Sequence, residues 1–136
     1  MKVLHITNEL TKKNFSIASL ILFISKHLYQ SYKFEYSILT SKSEKELFDD
    51  KNINKIELTT WINTFFKIKD LTKSISNFDI IHIHGIWAPI QILSILICNF
   101  NRKKYFIHPH GMLLDEALKS TEFLKFIYKK IFLFFF

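Results

Sequence analysis

The chain has 136 residues, nearly half of them apolar and 16% aromatic. That length usually makes one domain, and the composition excludes global disorder. Lys and Arg exceed Asp and Glu to leave a formal charge of +7, but Arg102 is the single arginine. The bidentate fork that reads bases and phosphates is therefore almost missing, which argues against a nucleic-acid partner. The abundance of Lys beside Ile, Phe and Asn reads as A/T-rich codon bias.

Cys98 is alone in an apolar run. It can form no intrachain disulfide and predicts a buried thiol in a reducing compartment. The apolar stretch at Met1–Ile6 is too short for a signal peptide. The run Ile90–Cys98 contains Gln91 and Ser94 and falls short of the roughly 20 residues of a membrane span. The expected location is the cytoplasm.

In chain order, Lys2–Thr7 predicts a short β-strand. Phe15–Tyr29 predicts a helix with Ile17, Leu20, Ile21, Ile24 and Leu28 at helical spacing and Asn14 or Ser16 as N-cap. Phe34–Thr40 predicts a second strand, Ser43–Asp50 a short polar helix, and Lys55–Leu58 a third strand. Trp61–Ile75 is helical in pattern, with Ile62, Phe65, Phe66, Ile68, Leu71 and Ile75 on its apolar side. Asp79–His84 is an almost continuous apolar strand, of the kind a parallel sheet buries on both faces. Pro89 suits the first turn of a helix reaching about Phe100, and Lys104–His108 predicts a fifth strand. Ser120 can cap a last helix from Thr121. Alternation at this spacing predicts an α/β fold, a Rossmann-like doubly wound parallel sheet.

The chain has two glycines and two prolines, and all four fall at or just after the ends of strands four and five. They lie in His82-Ile83-His84-Gly85-Ile86-Trp87-Ala88-Pro89 and in His108-Pro109-His110-Gly111-Met112. Open parallel sheets bind ligands beyond the carboxyl ends of their strands, and glycine there lets backbone turn sharply or approach a ligand. His84 and His110, each just before a glycine, are the functional candidates. His82, two residues before His84 on the same strand face, reads as a packing or hydrogen-bonded residue. His108 is intermediate, while His5 and His27 read as structural or solvated. Two His-x-His pairs also suit a metal-dependent hydrolase if strands four and five are neighbours. Carboxylates are scarce nearby, with Asp115 and Glu116 the nearest in sequence, so no metal is expected. Trp87 could stack on a sugar or pack beneath the loop.

Asp79-Ile80-Ile81-His82-Ile83-His84-Gly85-Ile86-Trp87-Ala88-Pro89 resembles the strand and loop of family-four, group-one glycosyltransferases. His108-Pro109-His110-Gly111-Met112-Leu113 resembles their S-P-H-G-M-L segment, with histidine in place of the first serine. Asp115, Ala117, Leu118 and the group Lys125, Lys129 and Lys130 fit the stretch that follows. Lys2-Val3-Leu4-His5-Ile6 is similar to their first strand.

The resemblance implies a GT-B fold of two Rossmann-like domains, with residues 1–136 as part of the N-terminal, acceptor-side domain. The nucleotide-sugar domain is expected to be missing, and Phe134-Phe135-Phe136 reads as an interruption inside an element. The implied activity is transfer of a sugar, with retention, from a nucleotide-sugar to a glycan or lipid-linked acceptor in envelope polysaccharide synthesis. The nucleotide-sugar is a co-substrate, and neither a cofactor nor a metal is implied.

His110 takes the catalytic place in that resemblance, donating a hydrogen bond at the transferred sugar, where Gly111 lets the loop close. His84, Gly85 and Trp87 line the acceptor side, and Asn14 is the candidate on the first loop. Relatives carry Gly-Gly in that loop, whereas this chain has Thr11-Lys12-Lys13-Asn14-Phe15-Ser16. Phe15 cannot imitate glycine, which argues against donor-phosphate contact there. The isolated chain is expected to be inactive, and a non-catalytic acceptor-binding fragment is the alternative. The lysine- and aromatic-rich last helix offers peripheral membrane contact as a secondary reading beside ordinary core packing.

Overall fold

The computed structural model describes residues 1–44, 53–55 and 67–113. In chain order these form β1 (Lys2–Leu10), a 3-10 turn (Lys12–Asn14), α1 (Phe15–Tyr32), β2 (Glu35–Ser43) and β3 (Ile53–Lys55). α2 (Ile68–Ser76), β4 (Ile80–His84), α3 (Pro89–Phe100) and β5 (Lys104–His108) follow.

The five strands make one sheet in the order β3-β2-β1-β4-β5, and every pairing is parallel. From β1 the chain builds outward through β2 and β3, then returns to lay β4 against the other side of β1. That reversal is the topological switch point of a Rossmann-like sheet, beside which a crevice opens at the carboxyl ends.

Period-two alternation sorts the side chains of each strand between the faces. On one face, Leu4, Ile6, Leu39, Ile81 and Ile83 pack with Leu71 and Ile75 of α2 and Ile90, Leu93, Ile97 and Cys98 of α3. On the other, α1 sets Ala18 and Ile21 against Ile38, with Leu10 in the same cluster. Helices thus cover both faces, and the sheet is doubly wound. Burial holds the Cys98 thiol up to about 11, with Lys103 opposing, so it remains a protonated core group.

Several element ends differ from the sequence expectation. β1 continues three residues beyond Thr7, because hydrogen bonding draws the polar Asn8 into the sheet. Its carbonyl accepts from the Thr40 hydroxyl at 3.1 Å, and its side-chain oxygen accepts from the Ser41 hydroxyl at 2.8 Å. Ser43 ends β2 and so does not begin a helix; residues 45–50 of that expected helix lie outside the described residues. β3 ends at Lys55, where the expected strand began, and positions 56–58 lie outside the description. The first part of the expected helix Trp61–Ile75, with Phe65 and Phe66, lies outside it too.

On α1, Leu20 is 37% exposed although its spacing placed it on the apolar side, while Ala18 and Ser25 are buried. Asp79 precedes β4 rather than belonging to it. Its carboxylate accepts from the Lys2 backbone N–H at 2.7 Å, and its own N–H donates to the Lys2 carbonyl at 2.9 Å. This pair fastens the start of β4 to the start of β1. The expected last helix, and with it Asp115, Ala117, Leu118 and Lys125, lies outside the described residues. Among the described residues, no helix is long and apolar enough to cross a membrane.

Candidate functional site

Strand register assembles the site. β1 and β4 pair with His5 opposite His82 and Thr7 opposite His84, and β4 and β5 pair with His84 opposite His108. Residues in register point to the same face, so His5, Thr7, His82, His84 and His108 share one face of the sheet. His110 joins them from the loop after β5. Its ring lies 5.2 Å from that of His84 and 4.1 Å from that of His108.

Three imidazoles form a relay. His5 Nδ1 lies 3.0 Å from His84 Nε2, and His84 Nδ1 lies 3.0 Å from His110 Nε2. Each contact needs an N–H facing a bare nitrogen, and a neutral ring carries one N–H. The far nitrogen of His5, Nε2, is buried and has no partner among the described residues. An orphaned N–H is the less tolerated state of such a group, which assigns the protons from the network. His5 Nδ1–H donates to His84, His84 Nδ1–H donates to His110, and His110 keeps its proton on Nδ1.

Burial keeps the cluster neutral. It pushes His84 down to about 2 and His5 down to about 3, with neighbouring histidines adding to both shifts. His82 is lowered to about 4, by burial and then by His108 and His110. His110 is lowered as well, by burial and then by His108.

The loops follow from their glycines. Gly85 has φ +90°, and its N–H continues the ladder to the His108 carbonyl at 2.9 Å. A Cβ there would fall on the Gln91 side-chain amide nitrogen, and at 3.1 Å from the methyl carbon of Met112. After β5, His110 has φ +48° and Gly111 φ +77°, and Met112 N–H closes onto the Pro109 carbonyl at 2.9 Å. Two successive positive φ values inside such a bond are the pattern of a type I′ turn. Gly111 takes its place freely, whereas His110 is held there at a steric cost. A strained non-glycine residue at a strand end is typical of functional sites.

A cleft of about 170 Å³ opens where these loops meet. It is lined by Thr7 and Glu9 from β1, Asn14 and Ile17 at the start of α1, His84, Trp87 and Gln91 around the β4 loop, and His110 and Met112 after β5. It thus straddles the switch point. Pockets that bury a drug-sized ligand hold roughly 300–1,000 Å³, so this one accommodates part of such a molecule.

Of the residues singled out from sequence, His110, His84, Trp87 and Asn14 line this cleft, while Gly85 and Gly111 shape the loops beside it. Asn14 is the N-cap of α1, but its side chain makes no capping bond. His84 is 1% exposed, and both its nitrogens are engaged by other histidines. Its part is therefore to hold His110. In the first loop, Lys12 N–H donates to the Glu44 carboxylate at 3.1 Å, and Asn14 N–H donates to the Thr11 carbonyl at 3.0 Å. Those donors are occupied, and Glu9 brings negative charge to the same side.

Sequence reasoning missed Gln91, Glu9 and the role of His5. Gln91 is 2% exposed; its amide donates to the His84 carbonyl at 2.5 Å and accepts from the Ala88 N–H at 2.8 Å. Its signal was a lone amide two positions after Pro89, where the third residue of a helix can reach back to the N-cap. The partnership of His5 depends on register, which the sequence does not spell out.

No protein-family model and no curated protein matches the chain. Among solved structures, the fold is similar to S. aureus MnaA in a co-structure with UDP. The TM-score is 0.60 at 16% identity, and the similarity covers 93% of this chain and 34% of that one. It supports the Rossmann-like α/β fold, and this chain spans about a third of the length of that neighbour.

Proposed function

We propose that the chain is the acceptor-side, Rossmann-like part of a GT-B glycosyltransferase. Such an enzyme moves a sugar from a nucleotide-sugar to a glycan or lipid-linked acceptor in envelope polysaccharide synthesis, in the cytoplasm or at the inner face of the membrane. The observation that carries this reading is the convergence of His110, Trp87 and Asn14 on a cleft at the switch point, the place where such sheets bind ligands. The two motifs that resemble group-one glycosyltransferases form its rims. The structural neighbour that shares the fold was solved with UDP, which fits a nucleotide-sugar partner.

In this reading, His110 acts as a neutral donor. Its lowered affinity for protons means that it offers Nδ1–H without carrying full charge. A hydrogen bond from a fixed donor gains strength as negative charge develops on the sugar and the departing phosphate. The His5–His84 pair fixes the tautomer, and the turn through Gly111 fixes the direction. Trp87 offers an apolar face to a sugar ring, and Asn14 an amide to its hydroxyls. No metal is needed for these contacts. The occupied donors of the first loop leave the grip on the donor diphosphate to residues outside the cleft. A fragment that binds acceptor without catalysis follows from the same geometry.

Saturation-transfer NMR against oligosaccharides and lipid-linked saccharides tests the reading. We expect sugar-proton signals that are lost in His110→Asn and Trp87→Phe, since Asn tolerates the left-handed backbone. Absence of saccharide signals with the parent protein would overturn it.

A further inference from the structure

The face that carries His110 holds more imidazole than sugar transfer uses. His82 and His108 stack at 6.0 Å, His82 and His84 lie 4.1 Å apart by ring centre, and His108 and His110 lie 4.1 Å apart. Among the described residues, two sets of three nitrogens are close enough to share one ion: His5, His82 and His84, and His84, His108 and His110. Within each, the ligand atoms lie within 4.8 Å of one another. Strands four and five are neighbours with His84 opposite His108, which meets the condition under which two His-x-His pairs converge.

Access separates the two sets. The first is centred on His5, which is wholly buried, and a dication there would leave water for a site without a carboxylate among the described residues. In the second, His84 and His110 line the cleft, with His108 exposed beside them and His110 half-buried.

We propose that His84, His108 and His110 form a three-histidine site for a divalent transition metal, zinc foremost, whose fourth position faces the cleft.

The chemistry supports this in three ways. Imidazole nitrogens suit zinc, copper and nickel, whereas magnesium and calcium demand oxygen. Zinc–nitrogen bonds of about 2.0–2.1 Å at tetrahedral angles place ligand nitrogens about 3.3–3.4 Å apart. His84 Nδ1 and His110 Nε2 already lie 3.0 Å apart, so a small separation of the two rings admits the ion. Finally, a metal-bound histidine needs an acceptor for its other N–H. With the metal on His84 Nδ1, its proton sits on Nε2 and donates to His5 Nδ1, 3.0 Å away. The relay reverses and the cluster holds the same number of protons as before, but His5 then carries its proton on Nε2, which has no partner among the described residues, a cost that the metal–nitrogen bonds must exceed. His5 is then a positioning residue for the site.

The site does not rest on the sugar-transfer reading. The metal takes His110 Nε2 and leaves Nδ1, the nitrogen that faces away from His84. It also ties the end of β4 to the turn after β5.

The test is titration of the chelator-stripped full chain with Zn²⁺, followed by calorimetry and by metal analysis after gel filtration. One zinc per chain is expected, with no uptake of Mg²⁺ or Ca²⁺, and a rise in Tm on binding. His108→Ser alters an exposed side chain and should keep the fold, yet weaken zinc by at least about tenfold, the scale on which even outer partners of bound histidines act. His110→Asn should do the same, and His27→Ala on α1 should leave affinity unchanged. Zinc absent from the parent protein, or bound equally by His108→Ser and His110→Asn, would overturn the proposal.

Discussion

The two faces of β1 and β4 are made by alternate residues of the same strands, and they differ completely. Leu4, Ile6, Ile81 and Ile83 point toward α2 and α3 and form an aliphatic core. His5, Thr7, His82 and His84 point the other way and form a polar cluster that ends in a cleft. One face is indifferent to pH and tolerates nothing small. The other depends on which nitrogen holds each proton. The difference shows that strand alternation alone can put a core and a site on one strand, with a peptide unit between them.

The largest expected effect comes from protonating the polar face. His5 and His84 are pushed below their usual value by burial, so the unfolded chain takes up protons first as pH falls. Their neutral packing costs nothing above about pH 6.5 and is increasingly unfavourable below it, at about 1.4 kcal/mol per pH unit for each. By about pH 4.5 the two together remove about 5 kcal/mol, comparable with the whole stability of a marginal domain. Chelator-treated protein should therefore unfold cooperatively on mild acidification in denaturant titrations. Stability flat from pH 7 to pH 4.5 would contradict the neutral relay.

Truncation of the aliphatic face comes next. Ile83→Ala should cost about 2–5 kcal/mol by urea denaturation and leave the acid dependence unchanged. Gly85→Ala joins the faces, since its Cβ meets the Gln91 amide that holds the His84 carbonyl. Left-handed strain of about 1–2 kcal/mol adds to the loss of a buried hydrogen bond, about 1–3 kcal/mol. Both stability and saccharide binding should fall. The smallest effect on folding belongs to His108→Ser, within about 0.5 kcal/mol because the side chain is exposed.

Much of this was legible in the sequence. β4, α3 and β5 were read almost to the residue, because Ile-rich runs alternate with Gly, Pro and Asn at their ends. The glycines of a glycine-poor chain marked the cleft, since Gly85 and Gly111 both hold positive φ. The pairing of His5 with His84 was not legible, because a strand shows its own alternation and not its neighbour's register. Gln91 was hidden for a different reason. On a largely apolar helix that also carries Ser94 and Asn99, an amide reads as an interruption until the carbonyl it holds is known. The continuous apolar run of β4 suggested two greasy faces, yet His82 and His84 occupy one of them.

The most direct test of the central claim, that the histidine-bearing crevice is the ligand site, is an amide NMR titration of the assigned protein with UDP-hexoses and acceptor saccharides. The account predicts shifts gathered at Thr7, Asn14, His84, Trp87 and His110, with the amides of Leu71, Ile75 and Ile97 on the opposite face unmoved. Shifts centred on α2 and α3, or no shifts at saturating saccharide, would contradict it.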